Sequence, residues 1–265
     1  MKAPGRIKAA LKSALLPIRR AGGRFFIPPP PPASPPPLSQ DTIIWKASQI
    51  TLAELVVGDY LEFGVFRGES LIQAFKTLEE ACHNRSKYDL KVRTQRNSDA
   101  VSTLWKNMRF FAFDSFQGLP RLAGLDARSE DFAEGLYACT VDEFLRNLSE
   151  HGVDINKVVT VPGWFEETCQ PQTIVTHRMT SASIVHIDCD LYESAKLVLR
   201  FLEPLLVNGT VLIFDDWYCF GGNPNLGEQR AFREWSAENE TKWTFTEYQK
   251  EGASRNSFIV NRRTP

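Results

Sequence analysis

Two apolar runs that each end on acids dominate the pattern of this chain. Ile184-Val185-His186-Ile187 stops at Asp188-Cys189-Asp190, and Val211-Leu212-Ile213-Phe214 stops at Asp215-Asp216. Between them Leu191, Ala195, Val198, Leu199, Leu202 and Leu206 share one helical face, with Asn208-Gly209 as a stop. The spacing predicts a strand, a crossover helix and a strand. Right-handed crossovers set such strands parallel, so both acidic ends emerge on one edge of a sheet.

The rest of the chain follows the same grammar. Ile43, Ile44, Ala47, Ile50, Thr51 and Leu55 predict a leading helix over 41–53. Asp59–Gly64 reads as a short strand, and Gly64 to Ser70 as a glycine turn into a helix over 71–81. Strand, glycine turn and helix form the ligand entrance of a doubly wound α/β sheet, where the backbone can approach a ligand and helix N–H groups are free. Further strands are predicted over 109–113 and 157–161, helices over 141–151 and 228–238, and a closing antiparallel pair over 243–248 and 256–261. Residues 126–137 are irregular and read as a lid or substrate loop.

With 265 residues and 43% hydrophobic content, the chain can bury a full core. No apolar run approaches the ~20 residues that span a bilayer. Five scattered cysteines without a Cys-x-x-Cys argue against a disulfide framework or a thiolate zinc site, and fit a reducing, cytoplasmic setting. The first 40 residues hold seven basic side chains and no acid, which leaves 24 of the 31 Lys and Arg against all 32 Asp and Glu for the body. Residues 6–16 form a short basic amphipathic segment, and Pro28–Pro32 with Pro35–Pro37 a polyproline spacer. Residues 1–40 are therefore expected to be a tail that is solvated, in weak contact with a membrane surface through 1–24, or an organelle-targeting peptide, and 41–265 the folded domain. The acidic body excludes nucleic acid as a partner.

Clustered carboxylates repel unless a proton or a hard cation sits among them, and oxygen ligands suit Mg²⁺, Mn²⁺ or Ca²⁺ rather than zinc. Asp188, Asp215 and Asp216 are the candidate metal ligands. The plainer reading of Asp190 is a helix cap, since Asp190 and Glu193 resemble a capping box. His186 shares a strand face with Asp188 one step deeper and reads as a structural histidine. At the glycine turn, Phe66 stands where a dinucleotide fingerprint needs its second glycine, which disfavours a nicotinamide cofactor.

Five segments together, Tyr60–Ser70, Phe113–Pro120, Gly163–Thr168, His186–Ser194 and Phe214–Trp217, carry a resemblance in family order. The chain over residues 55–262 resembles the macrocin-type O-methyltransferases of the class I S-adenosylmethionine-dependent methyltransferases. The resemblance implies a Rossmann-like, seven-stranded sheet, mostly parallel with one antiparallel strand. It implies that Glu62, Gly64, Gly68 and Ser70 bind the methionine and ribose part of S-adenosylmethionine, Asp114 and Ser115 the ribose side, and Gly163, Trp164 and Phe165 the adenine. Asp188 would touch the cofactor as well. Residues 84–106 would be an insertion, placing Asp114 farther than usual from the glycine turn. Function is then methyl transfer to a hydroxylated small molecule, a sugar or phenol, assisted by Mg²⁺ or a similar cation, with Asp188 or Asp190 as base. A homo-oligomer is compatible with this reading. Its rivals are a binding protein that keeps the cofactor fold without catalysis, and a nicotinamide-dependent oxidoreductase.

Overall fold

A computed structural model of the chain describes residues 40–264 apart from 93–94, 122–123, 125 and 127–131. The basic and proline-rich segments of the tail lie outside these residues. Seven strands form one sheet in the order β3-β2-β1-β4-β5-β7-β6. These are β1 (Asp59–Phe63), β2 (Phe110–Asp114), β3 (Val158–Pro162), β4 (Ala182–Ile187), β5 (Leu206–Phe214), β6 (Trp243–Glu251) and β7 (Arg255–Arg262). The first five are parallel, and β7 runs antiparallel to both β5 and β6. This is the doubly wound sheet with one reversed strand that the sequence predicts.

Alternation sorts the strands onto two faces. Leu61, Phe63, Phe111, Phe113, Val185, Ile187, Leu212 and Phe214 point to one core, shared with α7 (Tyr192–Leu202) and α8 (Gly227–Glu238). Tyr60, Phe110, Ala112, Ile184, Val211 and Ile213 point to the other, under α1 (Ile43–Ala53), α2 (Glu69–Val92) and α4 (Val141–Glu150). Every residue of β1, β2 and β4 is buried, as expected where helices cover both faces of a parallel sheet. The short α5 (Phe165–Thr168) and α6 (Pro171–Thr176) link β3 to β4.

Two expectations change. The helix predicted over 71–81 runs on to Val92 and is followed by α3 (Gln95–Asn107), so the polar insertion is largely helical and packs on α2. Apolar periodicity alone missed it because its outer faces are polar. Asn208-Gly209 does not stop a helix: α7 ends at Leu202, a 3₁₀ turn spans Glu203–Leu205, and β5 already begins at Leu206. Gly209, at φ +86°, lies where the β4–β5 register shifts, and a Cβ there would meet Val56 at 2.7 Å. Asn-Gly thus marks an irregularity in a strand. Among the described residues, no helix is long and apolar enough to cross a membrane.

Candidate active site

Register brings the acids together. Ala112, Glu62, His186 and Ile213 stand side by side across β2, β1, β4 and β5. One step further along the same face come Asp114, Gly64, Asp188 and Asp215. The ladder continues into this row, because Gly64 N–H donates to Phe113 O, Asp188 N–H to Phe63 O and Asp215 N–H to Ile187 O, each at 2.9 Å. The row lies at the carboxyl edge of the sheet, where open α/β sheets bind ligands. Gly64 is required here: at φ +88°, its Cβ would fall 1.8 Å from the Asp188 carbonyl oxygen.

A cleft of about 290 Å³ runs along this edge, walled by Gly64, Asp114, Trp164, Phe165, Asp188 and Asp190 among others. At one end Asp114 organises the glycine turn, with Oδ2 accepting the Val65 and Phe66 N–H groups (2.8 and 2.9 Å) and Oδ1 that of Phe116 (2.7 Å). A carboxylate has about four acceptor positions, so one remains for a ligand hydroxyl. Ser115 and Glu166 complete this wall.

At the other end Asp188, Asp190, Asp215 and Asp216 converge. Asp215 Oδ1 accepts from His186 Nε2 (3.1 Å) and Arg255 Nε (2.5 Å), and this clamp holds its pKa down in spite of burial. Burial and repulsion from Asp215 push Asp188 well up, and burial with repulsion from Asp216 raises Asp190 to about 9. Burial alone would lower the pKa of His186; its hydrogen bond to Asp215 and the Glu62 carboxylate 3.8 Å from Nδ1 raise it instead to about 10. Ligand atoms of His186, Asp188 and Asp215 all lie within 4.8 Å of one another; His186 already spends Nε2 on Asp215, and oxygen donors suit a hard cation, so the carboxylates are the better donors. Asp216 Oδ2 is buried with no N–H or hydroxyl donor on it, and the Asp190 carboxyl lies within hydrogen-bond reach of Asp216. Paired buried carboxyls beside two further acids call for a shared proton or a hard cation, and their oxygen donors fit a divalent ion.

Several expected residues sit elsewhere. Glu62 is fully buried beneath the row and already accepts from Tyr60 Oη and Ser70 Oγ, both at 2.5 Å. Ser70 lines an adjoining recess with Thr42, Arg67 and Arg255 rather than the main cleft. Gly68, at φ +85°, packs against Phe144 and Leu148 of α4, and Gly163 serves the chain turn after β3, its N–H bonded to Asp114 O.

Asp190 is not a cap. It adopts φ +59°, inside a tight turn closed by Leu191 N–H to Cys189 O at 2.5 Å. Such a turn is strained for a residue with a Cβ and is found where function demands it. The N-cap of α7 is Leu191, which offers no side-chain bond. The cap comes instead from Asp126 in the irregular loop, whose carboxylate accepts the N–H groups of Tyr192 (2.9 Å) and Glu193 (3.3 Å). Tyr137, from the same loop, lines the cleft at φ +62° with its ring edge-on to Phe66 (5.8 Å). Burial and the charges of Asp190 and Asp216 raise its phenol pKa. Sequence patterning gave neither residue a role, because both lie in a segment without periodicity, where Asp126 is one of several acids and nothing singles it out.

The family model of macrocin-O-methyltransferase (TylF) matches residues 101–242. The chain is 28% identical over 175 residues to 8-demethyl-8-(2,3-dimethoxy-α-L-rhamnosyl)-tetracenomycin-C 4'-O-methyltransferase of Streptomyces olivaceus, covering 64% of this chain and 56% of that protein. It is 31% identical over 176 residues to mycinamicin III 3''-O-methyltransferase of Micromonospora griseorubida, covering 63% and 58%. The chain thus spans little more than half the length of these relatives. In fold it is similar to the O-methyltransferase NovP, with a TM-score of 0.59 and 22% identity over 83% of this chain and 78% of that one. Since the matched stretch contains β2 to β5, both acidic strand ends and more than half of the chain, this protein belongs to the macrocin-O-methyltransferase (TylF) family.

Proposed function

We propose that this protein transfers a methyl group from S-adenosylmethionine to a hydroxyl of a small molecule, of the sugar or phenolic natural-product type, with a divalent cation such as Mg²⁺ at its acidic end. One observation carries the reading: the row Asp114, Gly64, Asp188, Asp215 joins an aromatic, hydrogen-bonding end to an acidic end within a single cleft. S-adenosylmethionine supplies a methyl already electrophilic without help from protein, and a bound divalent cation supplies charge that lowers the pKa of an acceptor hydroxyl. The protein's task is alignment and proton removal. Trp164 and Phe165 offer rings against the adenine, and Asp114 its spare acceptor to a ribose hydroxyl. Asp188, Asp215 and Asp216 would hold the cation, with Asp215 oriented by His186 and Arg255. Asp188 and Asp190 are the candidate bases, both held more basic than ordinary carboxylates by burial. The relatives' own O-methyltransferase activities support the hydroxyl acceptor.

Isothermal titration of S-adenosylmethionine with and without Mg²⁺ tests the cofactor half, with micromolar binding expected. Methyl transfer to a panel of glycosides and phenols, wild type against Asp188→Asn, tests the rest. Unchanged turnover in the variant would remove Asp188 from the chemistry.

A further inference from the structure

Glu228 is the second residue of α8, the helix that begins beneath the acidic end of the cleft. The chain enters it through Gly227 at φ +53°, where a Cβ would meet the Phe220 ring at 2.7 Å, so the approach is close and fixed. Glu228 is 1% exposed. Its Oε2 accepts the backbone N–H of Asp216 at 3.1 Å, while Oε1 is buried with no hydrogen-bond partner. Its strongest electrostatic neighbours are Asp216, Asp188, Asp215 and Asp190, all four acids of the site. Asp216 Oδ2, in the same place, is buried with no N–H or hydroxyl donor on it.

A buried carboxylate is tolerated when it is paired, hydrogen-bonded or neutralised. His186 and Arg255 serve Asp215, on the far side of this group. The helix N-terminus does not satisfy Glu228 either, because Oε2 turns away from its own helix toward Asp216 and Oε1 bonds to nothing. Asp190 stands within hydrogen-bond reach of Asp216, but no donor reaches Glu228 Oε1, so this end of the cluster carries an unmet demand for positive charge. We propose that Glu228 is a positioning residue of the cation site: it fixes the Asp216 backbone through Oε2 and contributes a fifth negative charge to the cluster through Oε1. This rests on the divalent-cation reading above. Outer partners of metal ligands commonly set affinity by 10–100-fold.

The test is Mn²⁺ binding to the full chain, read by isothermal titration and by loss of the free-ion electron paramagnetic resonance signal, without acceptor. Glu228→Gln keeps the shape and an oxygen for the Asp216 N–H but removes the charge. We expect Mn²⁺ affinity to fall about 10–100-fold while the metal-free variant melts no lower than wild type. Equal affinity in wild type and variant overturns the role of Glu228 and leaves the cation site standing. No Mn²⁺ binding by either protein overturns both. Glu228→Asp provides a second arm should the glutamine variant fail to fold. It keeps the charge but is one methylene too short to hold the Asp216 N–H, so weaker binding is again expected, and wild-type affinity in this variant overturns the positioning role.

Discussion

Substituting Gly64 by alanine perturbs the close approach of the chain leaving β1 to Asp188, the residue that follows β4. The backbone at φ +88° puts any residue with a Cβ at a disadvantage of about 1–2 kcal/mol. The steric term is larger. A Cβ–oxygen separation of 1.8 Å to Asp188 has to become at least 3.0 Å, and the obstacle is backbone, which cannot swing aside as a side chain can. Opening that gap strains two ladder bonds, Gly64 N–H to Phe113 O and Asp188 N–H to Phe63 O. Each is worth about 0.5–1.5 kcal/mol net. The sum is roughly 2–5 kcal/mol, a large part of an ordinary domain's stability. Urea unfolding followed by circular dichroism measures it. Gly252→Ala is the matched control, since Gly252 also has positive φ (+59°) but open space where its Cβ would go, and it should lose only the about 1–2 kcal/mol backbone term. Because Asp188 moves with the clash, Gly64→Ala should also lose S-adenosylmethionine binding while Gly252→Ala keeps it. If the two variants unfold within about 0.5 kcal/mol of each other, ordinary experimental scatter, the close approach is not the reason for glycine at position 64.

Three further outcomes follow from the same geometry. Asp126→Ala uncaps α7 and should lower stability by about 1–2 kcal/mol in urea unfolding, with Asp126→Asn recovering part of it; an unchanged midpoint in the alanine variant would mean the loop does not hold the helix. Arg255→Met removes one of the two donors on Asp215 and should cost about 1.5–3 kcal/mol, the range for a hydrogen bond to a charged group, checked by the same unfolding assay. In the metal-free protein, His186 at about 10 against 6.5 and Asp190 at about 9 against 3.8 both mean that the folded state holds protons the unfolded chain has released. Stability should therefore fall as pH rises from 6.5 to 9, by about 1.4 kcal/mol per pH unit for each net proton. Thermal melts in EDTA across that range check this, and a flat or rising profile would contradict it.

Much of the fold was legible because parallel strands covered on both faces must be continuous apolar runs. Ile184–Ile187 and Val211–Phe214 announce themselves that way, and the alternation in 243–248 and 256–261 marks the half-covered edge pair. What misled the pattern was local chemistry whose meaning depends on partners. Asn208-Gly209 is a helix stop on propensity alone, yet in place it relieves contact with Val56 inside a strand. Asp190 with Glu193 satisfies the spacing of a capping box, but the strained turn at Asp190 withdraws its carboxylate from the helix and leaves the cap to Asp126.

The site divides along the same line. Asp188 and Asp215 were readable because each is the next residue after a strand, and Asp114 because it ends one, and strand register alone aligns them. Glu62 was readable as a motif position, and the structure adds that it is a buried acceptor for Tyr60 and Ser70. His186 was read as structural, and it is structural through the site, since the hydrogen bond that satisfies it is the one that orients Asp215. Glu228 lay in a recognised helix with Ala231, Phe232 and Trp235 on its buried face, and all three are buried. Its own burial breaks that amphipathic logic, because a glutamate in the first turn is ordinarily explained by the helix dipole and solvent. Only the path of the chain beneath Asp216 turns the same residue into part of an acidic cluster. Spacing along one strand or helix therefore identifies ligands delivered by regular elements, whereas the residues that hold those ligands come from other elements and become visible only when register and turns have been fixed.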